Sequence, residues 1–174
     1  MLLTACHDYC HFIGITVSYI YIPKLKARIN KIYLMKRSIS PDPYTWKKEY
    51  ELHNELYDEQ AKKFLEIINQ MKKIIAGGVK ERDISDIFFQ LTYYYEQYMI
   101  REEINMKKLN YDAFEDHKES HKQFIDRILA FREGYERGDD DVYDEMYFYL
   151  EKWFDDHLMI ADRSAVDYIS GRSK

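Results

Sequence analysis

After residue 60 the apolar positions recur at three- and four-residue steps, the spacing of helices that bury one face. The first stripe is Ala61, Phe64, Leu65, Ile68, Met71 and Ile75, and it runs out at Ala76-Gly77-Gly78. A second begins near Asp83 and holds Ile84, Ile87, Phe88, Leu91, Tyr95, Tyr98, Glu102, Met106 and Leu109. Beyond Asn110 a third reads Phe114, His117, His121, Phe124, Ile128, Phe131 and Tyr135. Gly138 and three aspartates, residues 139–141, interrupt the pattern, and a fourth stripe follows with Tyr143, Met146, Leu150, Trp153, His157 and Ile160. Those aspartates suit the positive end of a helix macrodipole and predict a helix start.

Four amphipathic helices of about 20 residues or more, joined by short breaks, predict an all-α up-down-up-down four-helix bundle over residues 41–174. Residues 1–40 read as an N-terminal extension. Six glycines and three prolines are too few turn signals for a sheet protein of this length. The seventeen tyrosines are unusual, but several fall on the stripes and read as packing groups with the hydroxyl at the rim.

Four stripe positions are not apolar. Glu102, His117, His121 and His157 all stand where the periodicity places a core residue. His117 and His121 are four residues apart, so a helix stacks them on one face. A single histidine on an apolar face is ordinarily a satisfied core residue. Burying three with a carboxylate and no partners would cost roughly 1–3 kcal/mol apiece, and a metal ion supplies a partner to all of them. Imidazole nitrogens with carboxylate oxygens suit iron, manganese or zinc, and facing helices of a bundle are a known way to assemble such sites. Asp162 is a further carboxylate, five residues beyond His157; on a regular helix that offset turns through about 140°, so spacing alone does not select it.

Charge narrows the partners. The formal net charge is −5, but residues 1–37 carry six bases against Asp8, leaving −10 for the remainder. An acidic body is a poor binder of nucleic acid, which needs a basic face. The two cysteines, Cys6 and Cys10, lie far from the helical pattern, so the body has no disulfide framework and suits a reducing cytoplasm. CHDYCH brings Cys6, His7, Cys10 and His11 together, yet no second ligand pair follows at zinc-finger spacing. The apolar run of residues 12–22 is too short to span a bilayer, and no basic residue precedes it as in a signal peptide. Residues 1–34 read as a loosely attached segment or as the product of a translation start upstream of a natural Met35, rather than as a membrane anchor.

From Trp46 to about Asp162 the sequence resembles the hemerythrins, the single-domain bacterial type in particular. Trp46 with YDEQ at 57–60 is similar to that family's ID-x-QH start. REEINM at 101–106 and DHKESHKQF at 116–124 resemble its EE-x-x-M and H-x-x-x-H segments, and WFDDHLMIAD at 153–162 resembles its WL-x-x-H-x-x-x-x-D segment. The 15-residue step from Glu102 to His117 agrees with the family's spacing.

The resemblance implies a bundle around two irons bridged by a Glu and an Asp, with three further histidines on one iron and two on the other. It implies Glu102 and Asp162 as the bridges and His117, His121 and His157 as the three-histidine set. Ala61 and Tyr98 stand where the family has its other two histidines, and His53, eight residues before Ala61, does not replace one. The expectation is therefore a site for one ion of iron, or of manganese, built from His117, His121, His157, Asp162 and Glu102. Such a site would sense, store or bind dioxygen or another small oxidant rather than carry dioxygen reversibly, and no enzymatic activity is expected of it. Three histidines with a carboxylate also resemble the ligand set of iron and manganese superoxide dismutases, as an analogy of ligands alone. Two alternatives stay open: a diiron site with Tyr98 as a phenolate ligand to the second ion, and a metal-free bundle that binds a partner protein.

Overall fold

The computed structural model describes residue 39 and residues 42–77, 81–139 and 141–171. Cys6, Cys10 and the apolar run of residues 12–22 lie outside them, as does nearly all of the expected extension. A single 3-10 turn, Lys48–Tyr50, precedes α1 (Glu55–Gly77). Next come α2 (Glu81–Tyr94), a π-helical turn Tyr95–Met99 and α3 (Ile100–Lys108), which together make one continuous rod. The third rod is α4 (Phe114–Glu136). The fourth joins α5 (Val142–Asp156) through a π-helical turn, His157–Asp162, to α6 (Arg163–Ile169). The architecture is the expected all-α four-helix bundle. No helix among the described residues is long and apolar enough to cross a membrane.

Two rods end on left-handed residues that turn the chain back. Asn110 adopts φ 52°, with its N–H on the Lys107 carbonyl at 3.3 Å and the Tyr111 N–H on that of Met106 at 3.0 Å. Gly138 adopts φ 79° and repeats the pair, Gly138 to Tyr135 at 2.9 Å and Asp139 to Gly134 at 3.0 Å. Both are Schellman closures, in which otherwise orphaned carbonyls of the last turn are satisfied. The short connections make neighbouring rods antiparallel, and the rods pack in a ring in which α1 touches both α2 and α5 while α4 touches α2, α3 and α5.

The rods therefore alternate in direction, and two ends of the bundle are built from different halves of each. Gly77, the start of α2, the end of α4 and the start of α5 make one end, filled by residues such as Ile84, Ile87, Ile128 and Met146, all essentially inaccessible to water. The start of α1, the end of the second rod, the start of α4 and the end of the fourth rod make the other, and every polar stripe residue falls there. Between them lies an aromatic layer centred on Phe64, whose ring meets those of Tyr94 and Trp153 at 5.1 Å, Phe124 at 5.7 Å and Phe154 at 6.0 Å.

Regular helical spacing misplaces Leu109, which is exposed at the C-terminal cap of α3, and three further residues that the π-turns explain. Tyr95 and Tyr98 are expected inside, but Tyr94 and Met99 take the buried positions, five residues apart across the turn Tyr95–Met99. Ile160 is also expected inside and is exposed, because the turn His157–Asp162 carries the buried face from His157 directly to Asp162. An i→i+5 turn is wider than an α turn, so residues five apart lie nearly one above the other.

Candidate metal centre

Three rods deliver five side chains to the polar end. Glu102 comes from α3, His117 and His121 from successive turns of α4, and His157 and Asp162 from the two ends of the second π-turn. All five are buried. The Nε2 atoms of His117 and His121 lie 3.1 Å apart, as do those of His121 and His157. Glu102 Oε2 stands 3.4 Å from His121 Nε2 and 3.7 Å from His117 Nε2. Asp162 Oδ1 stands 3.3 Å from His157 Nε2 and 3.6 Å from His117 Nε2. The two carboxylates thus flank different edges of the imidazole triangle and share the His117 corner.

Hydrogen bonds on the far side of the rings fix what the Nε2 atoms present. His121 Nδ1 lies 3.1 Å from Glu103 Oε1, a carboxylate oxygen that can only accept, so Nδ1 carries the proton. Ser120 Oγ donates to the His117 carbonyl at 2.7 Å and is therefore left to accept from His157 Nδ1 at 3.2 Å. Both neutral rings then turn a bare Nε2 lone pair inward. Lone pairs 3.1 Å apart repel one another unless a cation sits among them.

The donor set fits a transition-metal ion. With metal–nitrogen bonds of roughly 2.0–2.1 Å, neighbouring donors lie about 2.9 Å apart at right angles and about 3.3 Å apart at tetrahedral angles. The observed 3.1 Å spacing falls between the two. Two atoms of the cluster, His117 Nδ1 and Asp162 Oδ1, are buried without a hydrogen-bond partner among the described residues. For Asp162 Oδ1, which faces the Nε2 atoms, a cation would be a fitting partner.

Burial pushes His121 down to about 3, with the neighbouring His157 and His117 adding to the shift and Glu103 opposing it. His157 goes the other way: burial lowers it, but the carboxylates of Asp162 and Glu102 outweigh that and raise it. Burial, followed by the same two carboxylates, keeps the Tyr94 and Tyr57 hydroxyls protonated. Tyr94 O–H donates to the Gln60 carbonyl at 3.2 Å, while the Tyr57 hydroxyl and the Gln60 amide are buried without a side-chain partner among the described residues.

Beside Glu102, His157 and Asp162 lies a cavity of about 10 Å³, lined by Ala61, Phe64, Tyr94, Met99 and neighbouring apolar residues. That is room for about one water molecule. Ala61 thus faces the site, as its stripe predicts. Tyr98 does not. It is half-buried and lines an outer groove with Phe89, Tyr93 and Lys63, because the π-turn gives its inward place to Met99. His53 is exposed in the turn before α1, at φ 57°.

Periodicity passes over two contributors and does not show the role of a third. Glu103 and Ser120 sit at the rim of their helices, where polar residues are the rule and carry no signal. Trp153 lies on a stripe, but only the fold shows its indole stacked on the His157 ring, with centroids 4.3 Å apart and planes 14° from parallel.

No family model matches the chain. It is similar to a bacteriohemerythrin of Clostridium acetobutylicum, 28% identical over 128 residues that cover 71% of this chain and 99% of that one. A bacteriohemerythrin of Pseudomonas aeruginosa is 27% identical over 124 residues, 71% of this chain and 80% of the relative. One of Stenotrophomonas maltophilia is 21% identical over the same shares.

Proposed function

Because the chain is a hemerythrin-like protein, we propose that it holds one iron ion per chain and uses it to sense, store or bind dioxygen or another small oxidant. His117, His121 and His157 would hold the ion with Glu102 and Asp162, and manganese suits the same donors. The observation that carries this reading is the convergence of three imidazole Nε2 atoms at 3.1 Å spacing, two of them with their protons held on the opposite nitrogen. Bound iron would supply a redox-active cation to a site that the side chains alone cannot make redox-active.

The chain's own residues do the rest. The two carboxylates would offset the charge of a divalent ion, burial keeps the His121 ring neutral, and Glu103 and Ser120 orient the rings of His121 and His157. The aromatic residues Phe64 and Trp153 line the cavity side. One ion rather than two is supported by what lines the cavity: Ala61, Met99 and Tyr94, with the Tyr94 hydroxyl engaged by Gln60. None of these offers an imidazole, and the space is small. Relatives named for hemerythrin support the metal class of the reading.

The test is electron paramagnetic resonance of the aerobic iron-loaded protein. A lone ferric ion gives a high-spin signal that accounts for the bound iron, whereas a coupled diferric pair is silent. Silence, together with the charge-transfer bands of an oxo bridge, would overturn the single-ion reading. Tyr98→Phe is expected to leave iron content and the visible spectrum unchanged, since Tyr98 lines the outer groove. Loss of an intense visible band in that variant would return Tyr98 to the ligand set.

A further inference from the structure

The centre's three imidazoles differ on the side away from the cluster. His121 Nδ1 meets the carboxylate of Glu103 at 3.1 Å, His157 Nδ1 meets the neutral hydroxyl of Ser120 at 3.2 Å, and His117 Nδ1 meets nothing among the described residues. Glu103 follows Glu102 directly on α3, so one helical segment sends one carboxylate into the cluster and the next to the back of a ring. Its side chain is 15% exposed, sheltered enough for a carboxylate to act on the ring at short range.

We infer that Glu103 is the positioning residue of the centre: its carboxylate holds the His121 proton on Nδ1, aims the Nε2 lone pair at the ion, and makes His121 the strongest of the three imidazole donors. The inference rests on the reading of this cluster as a metal site, but its first consequence needs no metal. A neutral histidine in water favours the tautomer protonated at Nε2. With Nε2 protonated, His121 would aim its N–H at the ion's place and leave Glu103 facing a second acceptor, two unfavourable arrangements at once. A carboxylate behind a ligating imidazole also raises its basicity. Here it adds a third negative charge to those of Glu102 and Asp162. Three negative charges balance a trivalent ion, so Glu103 favours the ferric over the ferrous state.

The experiment uses the full chain with ¹⁵N-labelled histidine and two-bond ¹H–¹⁵N correlation spectra of the metal-free protein at pH 8. His121 is expected as the Nδ1–H tautomer in the wild type and in Glu103→Gln, whose amide oxygen still accepts. In Glu103→Ala it is expected to shift toward Nε2–H. Affinity for ferrous ion is expected to fall about 10–100-fold in Glu103→Ala and less in Glu103→Gln. The reduction potential of bound iron should rise in Glu103→Gln, because the charge is lost while the shape is kept. Ser120→Ala is expected to leave the His121 tautomer as it is. An Nε2–H tautomer of His121 in the wild type would overturn the inference, as would a wild-type potential in Glu103→Gln or a wild-type affinity in Glu103→Ala. Were Glu103→Ala unable to fold, the wild-type tautomer and the Glu103→Gln potential would decide alone. A wild type that binds no metal would refute the iron reading while the His121 tautomer still decided the role of Glu103.

Discussion

Replacing His121 by alanine is expected to lower iron affinity by more than about 100-fold, beyond the roughly 10–100-fold that loss of an outer hydrogen-bond partner costs. His121 is the hinge of the cluster. Its Nε2 lies 3.1 Å from both other imidazole nitrogens and 3.4 Å from Glu102, and the residue has no exposure to solvent. Truncation removes a donor and leaves Glu103 facing an empty space. The metal-free variant should nonetheless stay folded, because removing one of three crowded lone pairs relieves repulsion as well as losing contacts. Isothermal titration with ferrous ion under anaerobic conditions, beside a thermal melt of the metal-free protein, checks both parts. An affinity within a few-fold of wild type would remove His121 from the ligand set.

The metal-free protein is also expected to be acid-labile through the same residue. His121 in the folded chain sits at about 3, well below the 6.5 of an unfolded histidine, first because it is buried and then because two imidazoles adjoin it. Between these values the unfolded chain binds a proton that the folded chain refuses. Stability therefore falls as the pH drops from about 6.5 toward 3, by up to about 1.4 kcal/mol per pH unit from this residue. His157 has the opposite sign: its raised value adds stability that is fully present below 6.5 and lost as the pH rises through its folded value. Urea unfolding of the metal-free protein at pH 7, 5 and 4, beside His121→Leu, isolates the His121 part. The variant should lose less stability than the wild type on acidification, and parallel losses would contradict the assignment. Bound metal should shift the acid transition downward, since protons must displace the ion before they reach the ring.

How much of this can be read without coordinates depends on the regularity of each helix. The stripes of α1 and α4 predict their buried faces, and Ala61, Phe64, His117, His121, Phe124 and Ile128 all lie inside. The second and fourth rods each contain a π-turn, which inserts a residue into the count without any composition to mark it. Spacing therefore puts Tyr98 and Ile160 inside when Met99 and Asp162 belong there. Asp162 shows the same effect from the other side. Its five-residue offset from His157 argues against a shared face on a regular helix, and only the resemblance to hemerythrins singles it out. Glu102 and the three histidines are legible because a buried polar group conflicts with its stripe. Glu103 and Ser120 conflict with nothing, since a charged or hydroxyl residue at a helix rim is ordinary, and their role appears only when the rings are oriented in space.

The measurement closest to the central claim is the metal content of the protein purified from cells and washed with a chelator, by elemental analysis against protein concentration. The account predicts close to one transition-metal ion per chain, chiefly iron, bound at the cluster of His117, His121 and His157 and lost in His121→Ala. Two tightly held ions per chain, or a well-folded protein that holds none and takes up none on titration, would contradict it.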